Sequence, residues 1–304
     1  MTNHLDGAST HRSGRDPAGT VCLQFMGGGR MGEALFAGLI ASGAEQAETI
    51  VVVEPLAVRR DELRTAHPGL VVSDAPVSAP TVVAVKPQDV RAAVGAAVGA
   101  GATRVLSVAA GVTLSALESA AGGGVAVVRA MPNTPALVGA GVAAIAPGSE
   151  AGDDTMAWAE GILGAVGDVV RVSEPQLDAV TGLSGSGPAY VFLVAEALID
   201  AGVAEGLPRP IAERLAVGTL RGAGIMLAES GQGAAELRAA VTSPCLLYTS
   251  DAADDLLCVD LGGRRIIKKK KILNHCLHLQ FNFQVNHIIP TLTIHTHTHL
   301  AAVN

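Results

Sequence analysis

A chain of 304 residues, 49% of them hydrophobic, has ample material for a core, and its length suits two domains or one domain with an extension. Aromatics make up only 3%, so that core must be built from Ala, Val, Leu and Ile, and the 36 glycines fit an α/β protein with close helix–sheet packing. The net charge of −7 gives no electrostatic reason to expect a nucleic-acid partner, and the four cysteines show neither a C-x-x-C pair nor metal-ligand spacing, which suits a reducing cytoplasm.

Residues 1–19 are polar and lack an apolar signal core, so they read as a flexible N-terminal extension or an upstream start. Val21 to Met26 then reads as a short apolar strand. It runs into Gly27-Gly28-Gly29-Arg30-Met31-Gly32, which fits G-x-G-x-x-G, and on into the helical pattern Glu33 to Ile40. Gly27 allows the tight turn, Gly29 lets backbone approach a pyrophosphate, and Gly32 permits helix–strand contact. The helix start, with Arg30 and Met31 in its first turn, offers N–H groups and a positive dipole end to phosphates. Thr49 to Val53 supplies a second strand ending at Glu54, about 20 residues past the last glycine. Together these predict a Rossmann domain. Glu54 in that position holds a ribose 2′-hydroxyl, whereas Arg59 and Arg60 suit a 2′-phosphate unless they are solvated residues of the next helix. NADH and NADPH both stay open, with a lean to NADH.

Thr81 to Val85 is an all-apolar strand ending in Lys86-Pro87-Gln88, and Lys86 is the only lysine before residue 268. Functional groups in open α/β sheets collect at the carboxyl ends of strands, so this lysine invites a cofactor or anion role. Arg104 to Val108 and Val125 to Val128 read as further strands, the latter leading into Met131-Pro132-Asn133-Thr134-Pro135. Two prolines stiffen that loop, and Asn133 either presents its amide to a ligand or bonds its own backbone as a turn residue. Val142 to Ala146, a helix around Asp153 to Val166, and Asp168 to Val172 complete this half. Trp158 is assigned to the core and His67, beside Pro68, to a surface turn.

Ala179 to Tyr190 reads AVTGLSGSGPAY, a density of turn-formers that suits a loop approaching a ligand before Pro188 opens a helix. Ala189 to Ala204 is almost uniformly apolar, so that helix must be buried, with a partner subunit as the expected cover. Ile211 to Glu229 and Ala234 to Val241 follow as helices, ending at Thr242-Ser243-Pro244. No apolar stretch reaches the ~18 residues of a membrane span, so no membrane partner is expected.

Composition changes after Pro244. Lys268 to Lys271 form a run, and six of the nine histidines lie between His275 and His299. Cys245 to Asp255, CLLYTSDAADD, looks like translated read-through of a sequencing adapter. Residues 245–304 are therefore expected to be an assembly artefact or a disordered tail. The alternating His295, His297 and His299 read as low complexity before they read as metal ligands.

Five strings carry a resemblance: the glycine turn, Val85-Lys86-Pro87, Met131 to Pro135, AVTGLSGSGPAY and Thr242-Ser243-Pro244. Together they resemble the pyrroline-5-carboxylate reductase family over residues 20–244. The resemblance implies an α/β fold, a Rossmann-type doubly wound parallel sheet over 20–174 followed by an all-α dimerisation domain over 175–244, here truncated. It implies NAD(P)H-dependent reduction of L-1-pyrroline-5-carboxylate to L-proline in the cytoplasm, with NADPH or NADH as cofactor and a homodimer or larger homo-oligomer as assembly. By the same resemblance Val85, Lys86 and Pro87 lie beside the cofactor, and Lys86 and Asn133 near its nicotinamide ribose and ring. Ser184 to Pro188, with Ser184 and Ser186 as catalytic candidates, line the pocket floor, and Ser243 meets the substrate carboxylate. No metal is implied. The family continues T-S-P with two glycines and a hydroxyl residue; this chain departs there. Another cyclic imine or a β-hydroxyacid stays open as substrate, although similar 3-hydroxyacid dehydrogenases use a lysine that this helical half lacks. A catalytically impaired nucleotide-binding protein is the third reading.

Overall fold

The computed structural model describes residues 21–242, so Ser243, the segment 1–19 and the tail 245–304 lie outside the described residues. Eight strands form one sheet: β1 Leu23–Met26, β2 Ile50–Val53, β3 Val71–Ser73, β4 Thr81–Val83, β5 Arg104–Ser107, β6 Ala126–Met131, β7 Gly141–Pro147 and β8 Gly167–Arg171. Their spatial order is β3-β2-β1-β4-β5-β6-β7-β8. From β1 the chain winds outward through β2 and β3, then returns to the other side of β1 and winds away again. That reversal leaves a switch point between β1 and β4, where open α/β sheets bind ligands.

The strands are short and apolar because both faces are covered. Alternation splits their side chains between two cores. Phe25, Val52 and Val82 pack with Leu35, Phe36 and Leu39 of α1 (Arg30–Ala41), Leu63 of α2 (Ala57–Ala66) and Ile162 of α5 (Asp153–Gly164). Met26, Val51, Val53 and Val83 pack with Val94 of α3 (Val90–Gly99) and Leu117 of α4 (Leu114–Ala121). Trp158 packs against the first core and carries Arg104 over its ring, with the guanidinium carbon 5.4 Å from the centroid.

The sheet is not wholly parallel, which corrects the expectation of a parallel sheet in one detail. β7 runs antiparallel to β6, while β8 is parallel to β7. A parallel return needs a crossover of a dozen or more residues, and the Pro132–Ala140 connection is too short for one.

A second correction concerns AVTGLSGSGPAY, which is helix rather than loop. α6 (Leu177–Val180) widens into a π turn over Thr181–Gly185 and continues as α7 (Gly187–Ala204). The i→i+5 geometry is explicit in the Ser186 N–H bond to the Thr181 carbonyl at 2.8 Å. Counted through that turn, Glu174–Ala204 is one helical stretch with a window of mean hydropathy 1.4. By length and composition alone it meets the requirement for a membrane span, contrary to the sequence expectation. That expectation treated the Gly/Ser/Pro string as a break in the helix.

The first compact unit ends at Pro188. Its last segment is tied to the sheet, since Leu177 is fully buried in the second core. The described part of the second unit, from Ala189, comprises most of α7 with α8 (Arg209–Glu229) and α9 (Ala234–Val241). Gly206, at φ +96°, turns the chain between α7 and α8, and Gly202 lies close against Ala212. Within this unit Ala212 and Ala216 are the buried side chains among the described residues, and Phe192 is 62% exposed.

Candidate dinucleotide site

The glycine turn sits at the carboxyl end of β1. Gly27 has φ +103°, and a side chain there would lie 2.9 Å from both the Ala84 carbonyl and Val85 Cγ1. Only glycine fits this close crossing to the end of β4. Gly32 is excluded from bearing a side chain by the Gly27 carbonyl, 2.5 Å from where its Cβ would stand. Gly29 differs: it is the extended N-cap of α1, makes no side-chain cap bond, and an added Cβ would meet nothing within 4 Å. The Glu33 N–H is the first to bond back along the helix, to the Gly29 carbonyl at 2.9 Å. The amides of Gly29, Arg30 and Met31 therefore precede the helical ladder and are unspent on it. Unspent N–H groups beneath open space at a helix start fit a diphosphate.

Glu54 occupies the end of β2 as expected but is only 8% exposed. Its Oε2 accepts the Gly28 N–H at 3.1 Å and its Oε1 the Leu56 N–H at 3.0 Å. Arg59 is equally committed. Its Nε donates to the Gly28 carbonyl at 2.9 Å, and its two Nη atoms pair with Glu62 and Glu33. Arg60 donates one Nη to the carbonyls of Glu54 and Pro55. Glu33 also meets His67 Nε2 at 3.0 Å, and the His67 ring stands edge-on to Phe36. His67 is thus a tertiary contact at the end of α2 rather than an unattached surface turn. Burial alone would raise the Glu33 pKa, but bonds from His67 and Arg59 outweigh it and hold the carboxylate below its ordinary range.

Val85, Lys86 and Pro87 follow β4 at the same sheet edge. Lys86 is the N-cap of a short 3-10 turn, Pro87–Asp89, and is exposed; it makes no ion pair among the described residues. Asn133 stands just past β6, 8% exposed. Its Oδ1 accepts the Val142 N–H at 2.9 Å, and its Nδ2 donates to the Ser184 carbonyl at 3.2 Å. The amide thus ties the β6–β7 connection to the π turn, whose Gly185 faces Met131. That connection in turn packs on α1 through Thr134–Val138. Ser184 donates its hydroxyl to the Val180 carbonyl at 3.1 Å, and Ser186 is exposed at the end of the turn. The glycine turn, Glu54, Val85-Lys86-Pro87, Asn133, Ser184 and Ser186 therefore all belong to the first unit. Direct contacts join the glycine turn to Glu54 and Val85, and Asn133 to Ser184.

One ion pair beneath this edge escaped the sequence reading. Arg129 of β6 meets Glu174 at 2.9 Å, and the same carboxylate oxygen accepts the Leu114 N–H at 2.6 Å. Burial works against the charged form of Glu174, yet these two donors lower its pKa. No local pattern links residues so far apart in the chain. Among the described residues no group of three or more His, Cys, Asp or Glu side chains stands together as a metal cluster would.

Residues 174–245 match the family model described as pyrroline-5-carboxylate reductase dimerisation, and residues 22–111 match that of NADP oxidoreductase, coenzyme F420-dependent. The pyrroline-5-carboxylate reductase of Synechocystis is 45% identical over 230 residues, spanning 74% of this chain and 86% of that relative. The chain belongs to the pyrroline-5-carboxylate reductase family. It is an oxidoreductase whose doubly wound sheet is followed by that family's helical domain. The solved pyrroline-5-carboxylate reductase from Coxiella burnetii is 31% identical, with a TM-score of 0.68 over 85% of this chain and 97% of that one. The Plasmodium falciparum pyrroline carboxylate reductase, solved with NADP bound, is 25% identical, with a TM-score of 0.64 over 85% and 96% of the two chains.

Proposed function

We propose that this chain reduces L-1-pyrroline-5-carboxylate to L-proline with NADPH or NADH, using the carboxyl edge of the sheet as its site. The observation that carries the reading is the linkage of the glycine turn to the π turn through α1, the β6–β7 connection and Asn133. When bound, the reduced dinucleotide supplies the hydride; everything else the site must do is positioning and electrostatics. The amides of Gly29, Arg30 and Met31, at the positive end of α1, hold the diphosphate. Lys86 places an exposed cation toward the nicotinamide ribose, and Val85 and Pro87 shape the wall beside the cofactor. Asn133 holds the π turn in place. Ser184, its O–H donating a hydrogen bond to the Val180 carbonyl, keeps oxygen lone pairs to accept from a protonated imine, and Ser186 borders the same turn. π turns inside helices recur at functional sites, which supports this use. Ser243, outside the described residues, is assigned by resemblance to the substrate carboxylate.

The exposed apolar faces of α7 and α8 support assembly into a homodimer or larger homo-oligomer. The cytoplasm is assigned as compartment by the family resemblance alone. The dimerisation match ends at residue 245, which supports reading residues 175–244 as an incomplete helical domain and the tail as foreign to it. The test compares the 304-residue chain with a version whose residues from 245 onward are replaced by the corresponding segment of the Synechocystis relative. Each is assayed for NADH and NADPH oxidation with pyrroline-5-carboxylate. The repaired version turns over at least about a hundredfold faster, since a misplaced substrate loop costs that much. Absence of turnover in the repaired version, with cofactor bound, defeats the proposal.

A further inference from the structure

The two charges beside the glycine turn meet at a single residue, one on each of its two peptides. Gly28 offers its N–H to Glu54 Oε2 at 3.1 Å and its carbonyl to Arg59 Nε at 2.9 Å. Both bonds are charge-assisted, the stronger kind, and Glu54 and Arg59 are themselves anchored. Glu54 is fixed by the Leu56 N–H, and Arg59 by Glu33 and Glu62. Leu63 closes the remaining side, 2.5 Å from where a Gly28 Cβ would stand.

A trans peptide is planar, so its N–H points opposite to its C=O. Holding the Gly28 carbonyl on Arg59 directs the Gly29 N–H away from Arg59. Holding the Gly28 N–H on Glu54 directs the Gly27 carbonyl the other way, and that oxygen is the atom lying against Gly32. Gly29 itself has open space about it. One buried contact, from Glu54, and one half-buried contact, from Arg59, thus set the orientation of the Gly27–Gly28 and Gly28–Gly29 peptides.

We propose that Arg59, acting with Glu54, is a positioning residue that aims the Gly29 N–H at the dinucleotide diphosphate and is not a ligand for a 2′-phosphate. The proposal rests on the glycine turn being the cofactor site. It implies that Arg59 serves NADH and NADPH equally, because both carry the same diphosphate.

The experiment is isothermal titration of the full 304-residue chain with NADH and with NADPH, which reads Kd and stoichiometry separately. Arg59→Met is expected to raise both Kd values about tenfold, in parallel and at unchanged stoichiometry. A merely structural role would lower the stoichiometry and leave Kd alone. Glu33→Gln, which weakens one anchor of Arg59 from the surface of α1, is expected to raise both values about threefold. It serves where Arg59→Met folds poorly. Weakening confined to NADPH overturns the proposal in favour of a 2′-phosphate ligand, and unchanged affinity for both overturns it outright. A wild-type chain that binds neither dinucleotide overturns the site reading beneath it, and the proposal with it.

Discussion

The two units are built from similar residues and handle them in opposite ways. In the first, the apolar strands and the inner faces of α1 to α5 are buried, and polar groups among them are satisfied. Gln24, fully buried in central β1, bonds Val77 and Thr81. In the second, α7 is more apolar than any of these helices and α8 also carries large apolar residues, yet Val191, Phe192, Leu215 and Val217 are half exposed or more. Burial is where apolar area becomes stability, so the first unit contains its own folding free energy. The second leaves that area available to a partner, as expected of a helical domain whose family model is named for dimerisation.

Point substitutions probe this contrast. Leu35→Ala, in a fully buried position of α1, is expected to cost about 2–5 kcal/mol by urea unfolding. Phe192→Ser, on the more apolar α7, is expected to leave the unfolding midpoint of the first unit in place. In the version with the restored C-terminus it raises the dimer dissociation constant, read by analytical ultracentrifugation. If Phe192→Ser destabilised the monomeric chain as much as Leu35→Ala does, the contrast between the units would collapse.

The glycine turn sharpens the comparison within the first unit, because neighbouring glycines there do different work. Gly27→Ala must hold φ near +103° against the Ala84 carbonyl and is expected to cost about 1–3 kcal/mol. Gly29→Ala, with φ −71° and free space, keeps full stability. Its methyl group stands where the diphosphate approaches, so cofactor Kd rises about tenfold, measured by titration of dinucleotide fluorescence. Equal stability loss in the two variants would mean that the turn is held by something other than the β1–β4 crossing.

Much of this site was legible because its determinants are local. Strand, glycine turn and helix follow one another in the chain, and Glu54 lies at a fixed distance along it. What was not legible depends on distant partners. β3 is three residues long with Val71 exposed, too short for a periodic signal. The direction of β7 depends on the length of a connection rather than on strand composition. AVTGLSGSGPAY has loop composition, and only the i→i+5 bond at Thr181 shows how a helix absorbs it. Glu54 and Arg59 were found by position, but their partners are backbone atoms of Gly28. A sequence shows charge next to a cofactor motif; it does not show whether charge faces the ligand or the turn.

The smallest effect tests a contact that spans the first unit. Glu174 bonds Arg129 of β6 and the first N–H of α4, so it ties the segment entering the π turn to the sheet. Its folded pKa lies below the ordinary 4.5. A depressed carboxylate stabilises the folded state wherever it is ionised in both states, so its contribution is complete above that ordinary value. The contribution falls away as pH drops through the lowered folded pKa, because the unfolded chain then binds the proton first. Glu174→Gln is therefore expected to lose about 1 kcal/mol at neutral pH. The difference from wild type should shrink on acidification below about pH 4.5. Glu33 titrates in the same direction in both proteins, so subtracting the two urea-midpoint profiles isolates Glu174. A gap that stayed constant through the acid range would mean that the Glu174 charge contributes nothing and that its hydrogen bonds alone brace the π turn.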